Sequence, residues 1–279
     1  YEISECLVGS EMCIRDRVTA LDSVGGWISH LFQYVTGSLK DVTFEVFALE
    51  DVKSADGESE DYYKKDELVA TITTDDTGIA KVSGLPLGKY YVKEKATVNG
   101  FVLDNEAREI DLTYRDQDTA EVTYSADWQN NRQKAEVEVV KKEKDSDCVL
   151  EGAVFALCAK NDITGADGNV ILEADTVIEE LATDKEGKLT FTADLPIGFE
   201  YYIKETSPAP GFATTDETQE FTFEYEGAEK EKVSYVFTFE DEPTVIEITK
   251  TSLTDGKELE GAKSVSYTHL RAHETLANL

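Results

Sequence analysis

Three kinds of side chain recur at nearly one offset along this 279-residue chain. Lys141 lies in the stretch VEVVKKEKD, and Lys250 takes the same place in VIEITKTS. Glu205 in YYIKET corresponds to Glu94 in YYVKEK, and Asp241 in VFTFEDEP corresponds to Asn130 in DWQNNR. The offset is 111 residues for the Glu and Asn/Asp places and 109 for the lysines. A neutral amine is a nucleophile and a buried carboxyl can carry a proton, so these residue types are suited to nucleophilic and proton-transfer chemistry. No nucleophile elbow, phosphate loop or H-E-x-x-H pattern occurs in the sequence. His30 is the one histidine outside the C-terminal stretch, where His269 and His273 lie.

The elements that must position these residues belong to an internal repeat. LKDVTFEV at 39–46 aligns with LEGAVFAL at 150–157, and LPLGKYYVKEKATVNGF at 85–101 aligns with LPIGFEYYIKETSPAPGF at 195–212. A third copy begins with LEGAK at 259–263. Within each copy apolar residues alternate, as in VTFEVFAL, EVEVV, LTFTADL and YVFTFE, with many Val, Thr, Tyr and Phe. That period of two predicts strands with one face buried. Asp75–Gly78 (DDTG), Asp184–Gly187 (DKEG) and the two LPxG stretches supply turns between them. About seven short strands per copy predict an all-β fold of tandem Ig-like antiparallel β-sandwich modules, weakly linked into a rod. Residues 18–37 are ambiguous: Leu21–Val35 is apolar enough for a short amphipathic helix, while WISHLFQYVTG at 27–37 alternatively holds a first strand or comes from a shifted reading frame. Alternation also sets decoys aside: Lys142 and Lys204 fall on the faces opposite Lys141 and Glu205.

Both ends stand apart. Residues 1–17 (YEISECLVGSEMCIRDR) and 264–279 (ending VSYTHLRAHETLANL) lack helix or strand periodicity. Both resemble translations of a transposase-type sequencing adapter read on opposite strands, with variable codons at Ser4–Glu5 and Leu276–Ala277 that can encode one shared barcode. They are read as assembly scars and left out of fold reasoning, together with Cys6, Cys13, His269 and His273. The expected organisation is a scar at 1–17, a first module at 18–133, a complete module at 134–243, the first strand of a third at 244–263, and a second scar at 264–279. On this reading the fragment is truncated at both ends, so a missing signal or anchor carries no weight.

The net charge is −31, from 58 acidic and 27 basic residues. Such a surface repels nucleic acid and anionic lipid and favours solubility. No apolar run approaches the ~18 residues a membrane helix needs. Calcium is the sharper reading of the acidity, but its best candidate loop, Asp162 to Asp167 and Gly168, departs from the alternating-carboxylate pattern, and no zinc spacing is present. No metal or cofactor is expected. Cys148 and Cys158 flank a predicted strand, as two buried or half-buried thiols or as a disulfide.

The pattern K…LxGAxFxL…TDxxGK…LPxGxYYxKE…GF…FxxxP, several of whose spaced elements occur in order twice between residues 38 and 263, resembles the Cna-B/SpaA family of Gram-positive pilins and adhesins. The resemblance implies a spontaneous isopeptide bond between a first-strand Lys and a last-strand Asn or Asp, assisted by a Glu. It makes Lys141 the nucleophile, Asp241 the acyl acceptor and Glu205 the proton shuttle, with Asp releasing water where Asn would release ammonia. Burial lowers a Lys pKa and raises a carboxyl pKa, the fold supplies effective molarity, and a dry surround prevents hydrolysis. The competing reading leaves Lys141, Glu205 and Asp241 as ordinary surface charges on exposed strand faces. Glu94 and Asn130 are the counterparts in the first module, where the offset puts His30 in place of the Lys, either because that module lacks the bond or because residues 18–37 are corrupted. Lys250 opens the third copy.

Function then divides three ways. The chain is a structural stalk of a cell-surface protein, extracellular, with sortase and the cell wall as partners by resemblance. Alternatively its loops bind a host matrix protein or glycan, with Tyr62, Tyr63 and Trp128 as candidate contacts. A third reading makes these the accessory domains of an extracellular enzyme. Nothing in the sequence supports turnover of an external substrate. The self-reaction happens once.

Overall fold

The computed structural model describes residues 14–15, 32–34, 37–54, 58, 60–116, 122–165 and 168–244. The chain divides into two compact units, residues 1–243 and 244–279, and the fold described here is that of the first. The described secondary structure is β throughout.

The complete repeat begins with β7 (Lys134–Glu143) and continues through β8 (Val154–Ala159), β9 (Ile163–Thr164), β10 (Val170–Leu172), β11 (Val177–Ala182), β12 (Lys188–Phe191), β13 (Glu200–Ser207), β14 (Thr218–Thr222) and β15 (Lys232–Asp241). A four-stranded sheet, β11-β8-β13-β14, faces a three-stranded sheet, β12-β7-β15. The alternation anticipated from sequence is visible strand by strand. Val137, Val139 and Lys141 of β7 are buried, and Tyr201, Ile203 and Glu205 of β13 are buried, while Lys142 and Lys204 are half-buried on the opposite faces. Phe155, Leu157, Ile178, Phe223 and Phe239 are wholly buried between the layers. Each such side chain contributes about 1.5–3 kcal/mol by leaving water.

One pairing departs from the antiparallel expectation. β15 runs parallel to β7 over ten rungs, from Lys232 opposite Lys134 to Asp241 opposite Glu143. Alternating hydrophobicity specifies a strand's faces and says nothing of its direction. Parallel neighbours need a long crossover, and here nearly the whole module serves as that crossover.

The earlier repeat contributes one described sheet, β4-β3-β5-β6, from β3 (Thr43–Ala48), β4 (Leu68–Thr73), β5 (Lys89–Ala96) and β6 (Arg108–Asp111). Val46, Ala48, Val52 and Tyr90 centre its core. The repeated turns are built alike. The Asp75 carboxylate accepts the Thr77 and Ile79 N–H groups, and that of Asp184 accepts the Glu186 and Lys188 N–H groups. Tyr90 donates its hydroxyl to the Pro86 carbonyl (2.6 Å), and Tyr201 does the same to Pro196 (2.8 Å).

Of the helix and strand readings of residues 21–37, residues 33–34 take the strand. Gln33–Tyr34 form β2, and the rest of Leu21–Val35, apart from Phe32, lies outside the described residues. Tertiary contact overrides the amphipathic pattern: Tyr34 donates to the Asp194 carbonyl (2.6 Å), and the Arg132 guanidinium lies 3.2 Å from the centre of its ring. The partner of β2 is β1 (Ile14–Arg15), inside the stretch set aside as a scar. Two-residue pairing needs free backbone groups and no apolar periodicity.

The repeats meet at Asn131–Gln133. Gln133 N–H donates to Gly100 O (2.9 Å), Leu103 N–H to Ala228 O (2.9 Å) and Tyr225 Oη to Phe101 O (2.9 Å). The fully buried Gln133 amide is completely engaged, giving hydrogens to Gly227 O and Lys230 O and accepting one from Glu226 N–H. Within this unit the link is a stitched joint, where sequence suggested a weak one.

Candidate functional site

Lys141, Glu205 and Asp241 meet in the core of the complete repeat. Their side chains are inaccessible to solvent. Lys141 Nζ lies 2.5 Å from Asp241 Oδ1 and 3.0 Å from Glu205 Oε1.

Strand register produces this meeting. Lys141 stands opposite Phe239 in the parallel pair, so Asp241, two residues on, projects from the same face two rungs away. Glu205 comes from the facing sheet, where it pairs with Phe155 of β8. The site therefore spans the sandwich. Phe155 and Phe239 line it, with ring centres 4.9 Å apart, and Lys141 Nζ lies 5.4 Å from the centre of the Phe155 ring. Main-chain bonds hold the lysine in place: its N–H donates to Gly187 O (2.8 Å) and its carbonyl accepts Leu150 N–H (3.0 Å). Gly187 has φ +66°, and a Cβ there would stand 2.8 Å from Lys141 O and 2.6 Å from Val149 Cβ.

The polar atoms are unevenly satisfied. Glu205 Oε2 accepts the Thr215 N–H (3.1 Å). Glu205 Oε1 and Asp241 Oδ2 are buried without a hydrogen-bond partner. Burial pushes the Glu205 carboxyl above its ordinary range and the Asp241 charge adds to this, against the smaller opposing pull of Lys141 and the Thr215 N–H. One cation beside two carboxyls leaves room for one proton, and Glu205 is the group that burial disposes to hold it.

In the earlier repeat Glu94 is buried, and Asn130 Nδ2 donates to both of its oxygens (2.7 Å each) and to Val102 O (3.0 Å). His30 and Lys250 lie outside the described residues. Sequence reasoning missed the aromatic lining and the backbone donor to Glu205. It also missed a buried carboxylate elsewhere, Glu179, which accepts Thr192 N–H (2.7 Å), Thr192 Oγ1 (2.5 Å) and Ala193 N–H (2.9 Å).

The remaining candidates separate. Cys148 and Cys158 are free thiols. Cys158 is buried in β8, with its thiol pKa raised by desolvation, but Cys148 is exposed. That corrects the expectation of two covered thiols: Cys148 falls in the turn after β7, where Asp147 and Val149 are exposed too. Asp162 Oδ1 accepts Ala174 N–H (2.8 Å), and among the described residues no cluster suited to a metal occurs. Trp128 packs edge-on against Phe44 (5.0 Å) beneath Arg108, Tyr63 joins the core of the earlier repeat, and Tyr62 is exposed.

Two facing sheets, repeated turns and the repeated Glu position define a tandem all-β domain protein. The SpaA prealbumin-like fold domain profile matches twice, over residues 33–128 and 135–236, and the chain belongs to that family. No curated protein matches. Among solved structures the chain is similar to the Bacillus anthracis TIE protein (26% identity, 74% of this chain, 31% of that chain, TM-score 0.46). It is also similar to the shaft pilin SpaA of Lactobacillus rhamnosus GG (18% identity, 78% and 91% coverage, TM-score 0.31). A third is GBS52, the minor pilin of Streptococcus agalactiae (19% identity, 79% and 89% coverage, TM-score 0.30). The chain thus spans about a third of the TIE protein, and family membership rests on the two profile matches. Among the described residues no helix is long and apolar enough to cross a membrane.

Proposed function

We propose that this chain is a structural segment of an extracellular surface protein, a stalk or pilin shaft, whose complete module locks itself with a Lys141–Asp241 isopeptide bond. The observation that carries this reading is the solvent-inaccessible contact of Lys141 Nζ with Asp241 (2.5 Å) and Glu205 (3.0 Å). The charge-neutral partition of the triad is an amine, a protonated Glu205 and a protonated Asp241, with one proton moved off the lysine. The Nζ lone pair attacks Asp241 Cγ while Glu205 hydrogen-bonds the carbonyl oxygen. The C–O bond to the acid hydroxyl breaks, Glu205 relays the proton from nitrogen to that oxygen, and one water leaves. Overall an ammonium and a carboxylate become an amide and water. Contact in a fixed geometry supplies the effective molarity, and the Phe155 and Phe239 walls exclude the water that would reverse the step.

Glu94 and Asn130 take the shuttle and acceptor places in the first module under the same reading, and Lys250 takes the amine place in the third. Attachment to a cell wall by a sortase belongs to the proposal as well. Intact-mass measurement of the purified chain tests it. The expected result is a deficit of one water that disappears in Lys141→Ala; a wild-type mass equal to the sequence mass refutes the bond.

A further inference from the structure

The stretch after the shuttle-bearing strand is constructed twice to one plan. In the complete module Phe212 N–H closes a turn on Ala209 O (3.1 Å), with Gly211 at φ +93°. Phe212 then bridges to Pro243, and Ala213 N–H approaches Glu242 O (3.5 Å), beside the acceptor Asp241. The stretch ends with Thr215 N–H on Glu205 Oε2 (3.1 Å). In the earlier module Phe101 N–H closes on Val98 O (3.2 Å), with Gly100 at φ +90°. Phe101 bridges to Arg132, Val102 N–H donates to Asn131 O (2.8 Å) beside Asn130, and Asp104 N–H holds Glu94 Oε2 (2.6 Å). The spacing from the Glu to its backbone donor is ten residues in both.

We propose that this strap, Ala209–Thr215 and its counterpart Val98–Asp104, is the positioning element of the crosslinking site, with the main-chain N–H of residue 215 fixing which oxygen of Glu205 carries the proton. The inference rests on the crosslink proposed above. Oε2, already accepting the Thr215 N–H, is the poorer place for a proton. Oε1 faces Lys141 Nζ at 3.0 Å and is the oxygen left without a hydrogen bond. In the earlier module the backbone donor of the strap again falls on Oε2, from Asp104 N–H, while Asn130 Nδ2 donates to both Glu94 oxygens at 2.7 Å. The same strap touches the backbone one residue past each acceptor. One short segment thereby sets the shuttle and the acceptor strand relative to each other, which a pair of independent strand registers would do less tightly.

The charged groups facing Glu205 are Lys141 from β7 and Asp241 from β15, and the strap adds the Thr215 N–H. That N–H favours the ionised carboxylate. Removing it leaves Glu205 protonated to higher pH, so the pH at which crosslinking fails on the alkaline side moves upward.

The test uses the full chain made by cell-free synthesis, sampled over time in buffers of stepped pH and read by the one-water mass deficit. Three variants are compared: Thr215→Ala, which keeps the N–H, Thr215→Pro, which removes it, and an amide-to-ester replacement at residue 215, which removes it without changing the ring constraints. Thr215→Ala is expected to crosslink at the wild-type rate. The two N–H-free variants are expected to slow about tenfold, the scale of one hydrogen bond to a charged group, with the alkaline limit moved up. If Thr215→Pro does not fold, the ester variant decides. Wild-type kinetics in the ester variant, or a slower rate with an unmoved pH dependence, overturns the assignment. A wild-type chain without the mass deficit refutes the crosslink itself, a result distinct from either.

Discussion

Glu205→Gln separates the proposed covalent lock from the packing around it. Gln keeps the size of the side chain and its acceptor for Thr215 N–H, but it cannot carry the acidic proton. Lys141 and Asp241 stay together as a charge-balanced pair, so the variant avoids the unpaired buried carboxylates that Lys141→Ala would leave. The proposed bond would join residues 100 apart in sequence. By the chain-entropy relation used for disulfides, closing a loop of about 100 residues removes about 4.7 kcal/mol of unfolded-state freedom. For a module of about 110 residues that corresponds to a melting temperature lower by about 20 °C in the variant. The assay pairs scanning calorimetry with intact mass and with gel mobility after boiling in detergent, since a looped denatured chain runs faster and only a covalent bond survives boiling. The expected variant has the full sequence mass, the slower mobility and the lower melting temperature. A one-water deficit in Glu205→Gln refutes the shuttle role. A full mass with an unchanged melting temperature refutes the argument from loop entropy.

Gly187→Ala is expected to destabilise the complete module by about 1–3 kcal/mol and to lower the crosslinked fraction, because the residue at φ +66° would press on Lys141 O and Val149. Gly84→Ala, at φ +77° with open space around it, supplies the control for backbone strain alone. Calorimetry and intact mass read both variants. Gln133→Ala is expected to cost about 2–3 kcal/mol, since it leaves Gly227 O, Lys230 O and Glu226 N–H without their partner at the joint; a denaturant titration measures this. Iodoacetamide on the native chain, followed by peptide mapping, is expected to label Cys148 quickly and Cys158 only after unfolding, given the exposure of the first and the buried, pKa-raised thiol of the second.

Much of this architecture is written in side-chain periodicity. VEVVK and YYIKE place Lys141 and Glu205 on the same faces as Val139 and Ile203, and those faces are the buried ones. The repeat made the DDTG and DKEG turns and the LPxG–Tyr contacts readable as pairs. Strand direction was not readable, because YVFTFED alternates identically whichever way it runs. The strap was also invisible, since its working groups are main-chain N–H donors that leave no mark on residue type beyond the shared Gly-Phe. Gln133 reads as a polar linker residue, and only the closeness of Gly100, Gly227 and Lys230 makes it the centre of a joint. The exposure of Cys148 depends on a turn that period-two reasoning does not reach.

The parallel pairing of first and last strands bears directly on how tension would cross the complete module. The chain enters β7 at Lys134 and leaves β15 at Asp241, so pulling on the two ends shears one strand along the other. Without a covalent link that load falls on the ladder of hydrogen bonds and on the sandwich behind it, and resistance becomes an unfolding rate. In the proposed crosslinked state the path runs from Lys134 along β7 to Lys141, across the amide to Asp241, and out. Residues 142–240, with both sheets' turns and the buried aromatic core, then lie off the path. The joint at Gln133 sits immediately before its start, bonded to loops of both repeats. The β7–β15 register sets the far end of β7 beside the acceptor end of β15, so the amine must lie near that end to meet Asp241. An amine at Val137, also buried and on the same face, would face Asp241 across four further rungs and reach no acceptor. Placement at residue 141, rather than burial alone, is therefore what the proposed lock requires.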